Sequence, residues 1–542
     1  MWELQLHSPT QRTIHHLLEQ RAQQQGEATF FWFKEQTFSY AQLNRMASAV
    51  AKGLQETGVD KGDRVAVMLG NSAEFLAVWF GLSKLGAIEV SLNTAHRGYL
   101  LSYQLNQAQC SVLIVDYGFL SCIEGIRKEL DSLRHVIVLG AAGELPVWPG
   151  IEIHRYAEVT SLGEDYRPVE VLWNDPLGIM FTSGTTGPSK GAVLPQNYAI
   201  HTAEIISEIA GYGPADCLYN ALPLFHGNAK LLSTMPALYS GATMVLAERF
   251  SASQFWEDVA RYRCTEFNYI GSILSILLKA DPKPDDCDNS LRVLLGAGAT
   301  PGVYEAFEAR FGVSLIEGYG MSEIGLPLMS RPGASKPGTC GKPHPDYEVM
   351  LVDDQGQAVP IGVPGELLVR PKKPWSTLLE YYRMPEKTVE AWQGLWFHTG
   401  DYLLQDEEGF YHFVDRKKDA IRRRGENISS YEVETMVTSH PLVLEAAATP
   451  VKSELGEDEV MITVVLRPGA QLSAAELIVH CEQVMAKFMV PRYVRFVSSL
   501  PRTPTEKIQK YVIREQGVTA DTWDREKHAL SGSALANEGV SV

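Results

Sequence analysis

Residues 182–191 read Thr-Ser-Gly-Thr-Thr-Gly-Pro-Ser-Lys-Gly, which sets three glycines and one lysine among hydroxyl side chains. Such a segment offers flexible backbone N–H groups, hydroxyls and one ammonium, the donors that wrap an anion such as a polyphosphate. The run before it, Pro176-Leu177-Gly178-Ile179-Met180-Phe181, is short and apolar and reads as a buried strand, so the loop leaves a strand end. It is not the usual P-loop, which needs Gly immediately before the Lys and Ser or Thr immediately after it. Here Ser189 precedes Lys190 and Gly191 follows.

Five further clusters carry chemistry. Pro223-Leu224-Phe225-His226-Gly227-Asn228 sets an imidazole after an apolar run; alone, such a His is more often structural. Gly318-Tyr319-Gly320-Met321-Ser322-Glu323 follows Ser314-Leu315-Ile316. Its glycines would let a planar group approach the backbone, Tyr319 offers a stacking face, and Glu323 offers a hard oxygen for Mg²⁺. Trp396-Phe397-His398-Thr399-Gly400-Asp401 places a carboxylate after a tight turn, where it can take both hydroxyls of a ribose. Val414-Asp415-Arg416-Lys417-Lys418-Asp419 lies near a change of pattern, and Leu500-Pro501-Arg502-Thr503-Pro504-Thr505-Glu506-Lys507 sets a late lysine on a proline-stiffened loop.

The elements that must position these groups follow from composition and period. The 542 residues exceed what one core organises, so two or more domains are expected. A net charge of −17 excludes a general nucleic-acid binder, which needs a basic face. Seven scattered cysteines without a C-x-x-C pair indicate neither a disulfide framework nor a zinc site and fit a reducing cytoplasm. No secretory signal is visible at the start, and no apolar run approaches the ~20 residues of a membrane helix. Residues 62–175 alternate strand and helix patterns: Arg64 to Leu69, then Ala73 to Leu85 with Phe75, Val78, Trp79 and Leu82 at helical spacing, then Ser111 to Asp116. The alternation returns at Ala242 to Leu246 with Gln254 to Arg263, and at Arg292 to Gly296 with Val303 to Phe311. It predicts parallel sheets covered by helices. After about residue 345 the pattern becomes antiparallel, with strands Glu348 to Val352 and Gly365 to Val369 around the turn 353–356. After about 415 a smaller α+β unit is expected, with capping boxes at Ser429/Glu432 and Ser473/Glu476 and a late strand from Tyr493 to Val497.

In this order and at these separations the clusters resemble the adenylate-forming superfamily, which includes acyl-CoA ligases, luciferases and peptide-synthetase adenylation domains. The resemblance spans roughly residues 10–515. Phe38-Ser39-Tyr40-Ala41-Gln42-Leu43, Leu85-Gly86-Ala87 before Asn93, and Gly365-Glu366-Leu367 add to it. It implies an α/β fold. A large N-terminal AMP-binding domain (1–415) would hold stacked αβ sheets plus a small β-barrel-like region. A hinge (416–418), a small mobile α+β C-terminal domain (419–525) and a disordered tail (526–542) would follow. ATP, Mg²⁺ and CoA are the implied small molecules, a carboxylic acid the implied substrate, and a homodimer in the cytoplasm the implied assembly, with no nucleic acid and no integral membrane segment.

The resemblance also implies roles. Thr182, Ser183, Gly184, Thr185, Thr186, Gly187 and Lys190 would hold the β- and γ-phosphates of ATP. Gly298, Ala299 and Tyr319 would form the adenine slot. Ser322, where the family usually has Thr, would lie near the α-phosphate. Glu323 would bind Mg²⁺, and Asp401 and Arg416 the ribose. His226 would line the acyl pocket, with Asn228, Lys230, Ile270 to Ser275 and Ile324 to Leu328 contributing to it, and Lys230 would face a second carboxylate or solvent. Lys507 would be the catalytic lysine of adenylation and Lys418 the hinge residue. Arg424 and Gly425, ending the basic run Arg422-Arg423-Arg424, would reach CoA. Two departures stand out: Ser189 occupies a position that is commonly Pro, and Glu506 replaces the Gly that usually precedes the lysine. The implied function is ATP-dependent ligation of an acid to CoA through an acyl-AMP. The alternatives are a stand-alone enzyme that loads a carrier protein and a non-catalytic binding protein. Phe250 to Trp256, Arg261-Tyr262-Arg263 and Met485 to Pro491 are similar to bacterial crotonobetaine/carnitine-CoA ligases.

Overall fold

A computed structural model of the chain describes residues 4, 6–141, 143–182, 188–416, 420–424, 426–453, 457–502 and 508–527. Its described residues divide into two units, one drawn from Met1–Thr94, Ser102–Phe181 and Gly191–Asp415, the other from Ala95–Leu101, Thr182–Lys190 and Arg416–Val542.

Alternating strand and helix in the first unit produces two large, mostly parallel sheets. One has eight strands in the order Glu380–Tyr381, Lys190–Pro195, Pro176–Thr182, Ile88–Ser91, Arg64–Met68, Val112–Asp116, His135–Leu139, Glu152–Arg155. The other has nine, ordered Lys342–Pro343, Gly325–Met329, Ser314–Met321, Val293–Ala297, Glu266–Ile270, Cys217–Asn220, Thr243–Leu246, Thr29–Phe33, Gln36–Ser39. Within it Cys217–Asn220, Glu266–Ile270, Val293–Ala297 and Ser314–Met321 run parallel, neighbour to neighbour. A five-stranded sheet built on Tyr347–Val352, Gly365–Pro371 and Trp396–Gln405 is antiparallel, as the turn at 353–356 requires.

The helix Ala73–Leu85 shows why the two large sheets share one core. Ser72 accepts the Phe75 N–H to start it, and Gly86, at φ 63°, closes it in the left-handed region. The spacing of Phe75, Val78, Trp79 and Leu82 predicts one apolar stripe, but every residue of the helix except Glu74 is buried. A helix apolar on most of its faces, with Glu74, Ser83 and Lys84 its polar residues, has to be enclosed on nearly all sides, at about 1.5–3 kcal/mol for each large side chain removed from water. A Cβ at Gly81 would stand 2.8 Å from the Ala47 carbonyl oxygen, so the glycine lets the helix Tyr40–Glu56 approach closely. That neighbour begins at a full capping box between Ser39 and Gln42, inside the Phe38 to Leu43 motif.

In the second unit, the four-stranded sheet Val443–Lys452, Asp458–Leu466, Tyr493–Phe496, Trp523–Asp524 packs Val460, Ile462, Val464 and Val494 into a core with Val433, Val437, Leu477 and Cys481 of two helices. Ala474–Val484 starts with the expected capping box, Ser473 to Glu476. Ser430–Thr438 starts with half of one: Ser429 accepts the Glu432 N–H, while the Glu432 carboxylate accepts from Ser189 instead. Within the expected tail, Glu526 is placed and pairs with Arg492 at 3.0 Å; residues 528–542 lie outside the described residues.

The basic run at 422–424 is not one solvated patch. Arg423 is 2% exposed, pairs with Glu459 at 2.6 Å, and donates to the carbonyls of Phe488 and Val490 at 2.9 and 3.0 Å. Arg424 is exposed and takes a φ of 53°. Arg423→Ala should therefore destabilise the protein by about 3–5 kcal/mol, because it strands a buried carboxylate, while Arg424→Ala stays within about 0.5 kcal/mol of wild type. Urea unfolding of the two variants measures the contrast, and equal effects would contradict it.

Candidate active site

Because four consecutive strands of the nine-stranded sheet are parallel, the loops at their carboxyl ends share one edge, where open α/β sheets place ligands. Those loops carry His226 after Cys217–Asn220, Gly298 and Ala299 after Val293–Ala297, and Ser322 and Glu323 after Ser314–Met321. Gly298 sits at φ 81°, and its carbonyl oxygen would lie 2.0 Å from a Cβ at Gly271, so that loop needs glycine on both sides.

Tyr319 and Asp401 come from different sheets and meet here. The Tyr319 hydroxyl donates to Asp401 Oδ2 at 2.7 Å, and both residues are buried. Asp401 follows Gly400, at φ 71°, where the register of the antiparallel pair shifts; the Gly400 N–H donates to Glu366 Oε1 at 3.1 Å. A bulge with left-handed glycine re-aims the following side chain. Glu323 is 3% exposed; its Oε1 accepts from the Tyr381 hydroxyl at 2.8 Å and its carbonyl from the Leu378 N–H at 2.7 Å. Ser322 is half-buried beside it.

His226 is half-buried, its ring against Phe225 at 4.7 Å between centroids. Its loop is held by Asn71, whose amide donates to the carbonyls of Leu222 and Ala247 at 3.0 and 2.9 Å and accepts the Leu224 N–H at 2.8 Å. One side chain thus ties the exits of two neighbouring strands.

Three expectations change. The glycines at 318 and 320 serve strand pairing rather than a planar ligand: a Cβ at Gly318 would meet Met329 Sδ at 2.3 Å, and one at Gly320 the Gly325 carbonyl oxygen at 2.3 Å. Lys230 does not face solvent or a substrate carboxylate. It is 3% exposed, pairs with the buried Glu89, donates to Ser91 Oγ at 2.7 Å, and lies over the rings of Trp79 and Phe75. Asn228 opens a π-helix, Asn228–Thr234, which turns Lys230 inward. Third, the arginine run offers only Arg424 as an exposed cation.

Of the anion-wrapping loop, Thr182 ends its strand and Lys190 begins the next; Ser183, Gly184, Thr185, Thr186 and Gly187 lie outside the described residues. A Cβ at Gly191 would meet Ile179 Cγ2 at 2.7 Å, so this glycine packs the strand. The N–H and hydroxyl of Ser189 both donate to Glu432 Oε1, the former at 3.2 Å; burial pushes that carboxyl up and the serine opposes it. Arg416 ends the strand Tyr411–Arg416, while Lys418, Gly425, Glu506 and Lys507 lie outside the described residues. The residues flanking 503–507, Arg502 and Ile508, form an antiparallel bridge.

Glu317 is a site residue that the motifs do not announce, although an acid inside the run Ser-Leu-Ile-Glu-Gly is the signal. It is 4% exposed, its Oε1 accepts the Ala299 N–H at 2.8 Å, and burial pushes its carboxyl up to about 7 against the pull of that N–H and of Tyr269. The unfolded chain ionises this acid near ~4.3. Stability owed to the neutral acid is therefore full below that value and is lost as pH rises through about 7. Glu317→Gln should gain on wild type as pH climbs from 5 to 8, by up to about 3 kcal/mol. Melting curves of both proteins across that range test it, and parallel pH profiles would refute it.

Residues 18–382 match the AMP-binding enzyme family, and residues 432–507 match the AMP-binding enzyme C-terminal domain. The crotonobetaine/carnitine–CoA ligase of Salmonella choleraesuis (strain SC-B67) is 34% identical over 481 residues, 87% of this chain and 92% of that protein. Among solved structures, an o-succinylbenzoate CoA synthetase double mutant from Bacillus subtilis, bound with a product analogue, superposes with a TM-score of 0.81 at 26% identity, covering 94% of this chain and 99% of that one. The amide bond synthetase of Marinactinospora thermotolerans gives 0.78 at 26% identity, covering 92% and 99%. No described helix is long and apolar enough to cross a membrane. Through residues 18–382 and again through 432–507, the chain belongs to the AMP-binding enzyme family.

Proposed function

We propose that the chain ligates a carboxylic acid to CoA at the expense of ATP, through an acyl-adenylate. The observation that carries this reading is the family match in both parts of the chain, with Tyr319, Glu323 and Asp401 buried around one sheet edge. In the first step a carboxylate oxygen bonds to the α-phosphorus of ATP and the bond to pyrophosphate breaks. In the second, the CoA sulfur bonds to the acyl carbon, its proton is released, and AMP leaves.

Two anions meet in the first step, so the chain has to supply positive charge and fixed donors. In this reading, Lys507 bridges the attacking carboxylate and the α-phosphate. Ser322 presents its hydroxyl to that phosphate. The N–H groups and hydroxyls of 182–187 with Lys190 hold the β- and γ-phosphates, and Gly298, Ala299 and Tyr319 frame the adenine. Asp401 and Arg416 take the ribose, which the hydrogen bond from Tyr319 favours by orienting the carboxylate. Glu323 fits a Mg²⁺ ion, its buried carboxylate being a hard oxygen donor; bound there, the ion would neutralise phosphate charge. His226 lines the acyl side. Lys507 serves the first step and obstructs the second, so residues 419–525 turn about Lys418 between them, which brings Arg424 and Gly425 toward CoA. The reading includes a cytoplasmic site of action and a homodimer, the latter tested by sedimentation of the purified chain.

Lys507→Ala should slow ATP–pyrophosphate exchange by about 10²–10³, the size of one preorganised electrostatic contact, and spare thioester formation from supplied acyl-AMP. Equal loss in both half-reactions would overturn the assignment. The acid is identified by thioester formation with CoA over carnitine-like, short, branched, aromatic and steroid side-chain acids, with an amine acceptor in parallel. Product with the amine and none with CoA would overturn the ligase reading.

A further inference from the structure

Far along the eight-stranded sheet from the strands that lead to the anion-wrapping loop, the edge strand Glu152–Arg155 pairs in parallel with His135–Leu139. The register sets His135 opposite Glu152 and Ile137 opposite His154. Side chains alternate faces along a strand, so His135, Glu152 and His154 share one face. Three groups of metal-ligating type thus stand together by backbone construction.

Hydrogen bonding explains only part of their arrangement. His135 Nδ1 and His154 Nε2 share a 3.3 Å hydrogen bond, one ring donating to the other, but Glu152 Oε2 is 3.7 Å from each nitrogen, too far for a hydrogen bond and equidistant. Among the described residues Glu152 has no lysine or arginine partner, although both strands carry arginine close by. Arg134 gives its donors to the carbonyls of Asp131 and Leu133, and Arg155 to those of Ala141 and Gly143. The triangle with sides 3.3, 3.7 and 3.7 Å has a centre about 2.1 Å from all three atoms, inside the ranges for Zn–N and Zn–carboxylate bonds.

We propose that His135, Glu152 and His154 bind one divalent transition-metal ion of the zinc type, with water completing its coordination. The donor set, two imidazoles and one carboxylate, is borderline in softness and suits zinc and its first-row neighbours over Mg²⁺ or Ca²⁺. Both imidazoles are partly shielded, at 23% and 30% side-chain exposure, while Glu152 reaches in from solvent at 73%. The ion clamps the edge strand to its neighbour, where an unpinned edge is open to fraying or to pairing with another chain. It takes no part in acyl transfer.

The test uses the full-length, tag-free chain, stripped with chelator and kept in excess Mg²⁺ so that hard-oxygen sites are filled. Titration with Zn²⁺ should show one saturable equivalent with micromolar affinity, and Co²⁺ should give the intense visible bands of a low-coordinate nitrogen–oxygen site. His154→Ala and the near-isosteric Glu152→Gln should weaken that equivalent, His154→Ala by at least about 100-fold. Zinc should raise the unfolding temperature of the wild type and not of His154→Ala, with ATP–pyrophosphate exchange unchanged in both variants. Absence of a saturable equivalent, or undiminished binding in a folded Glu152→Gln, would overturn the proposal.

Discussion

The hydrogen bond from the Tyr381 hydroxyl to Glu323 is the constraint on which the proposed site depends. Glu323 follows the last parallel strand of the nine-stranded sheet, whereas Tyr381 lies on the edge strand of the eight-stranded sheet, in register with Ala192. A buried carboxylate is tolerated only where donors meet it. Burial and the neighbouring carboxylate push the Tyr381 phenol far above its ordinary range, so the hydroxyl keeps its proton and donates at any working pH. The same contact joins two sheets and fixes an acid four residues after Tyr319.

The local elements were legible because their signals are local. The alternation of strand and helix patterns predicts the parallel sheets, the turn at 353–356 predicts the antiparallel pair, and Ser473 with Glu476 predicts a helix start that forms in full. Sheet membership was not legible. The N-terminal strand Thr29–Phe33 joins Thr243–Leu246, more than two hundred residues away, and nothing in its composition announces that partner.

Of the motif residues, Tyr319 and Asp401 meet in a hydrogen bond, but the groups that hold the motif loops are hidden from a linear reading. Tyr381, Asn71 and Glu317 are single polar residues in ordinary surroundings, and their roles arise only when distant backbone returns to them. The glycines of the Tyr319 motif were misread for the opposite reason. A close approach by a ligand and a close approach by a neighbouring strand ask the same of a backbone, and at Gly318 and Gly320 the strand is what is there. Lys230 was misread because a lysine is normally solvated, whereas the π-helix points this one at Glu89.

The helix Ala73–Leu85, buried at every residue but Glu74, has a consequence for how the chain reaches this structure. Its neighbours include the helices Ile14–Gln25 and Tyr40–Glu56, so any intermediate that lacks them leaves a largely apolar cylinder in water. Lys230, in the π-helix Asn228–Thr234, covers the rings of Phe75 and Trp79, and that segment leaves the ribosome long after the helix does. The nascent chain therefore carries this helix with part of its cover missing until residues 228–234 have been made.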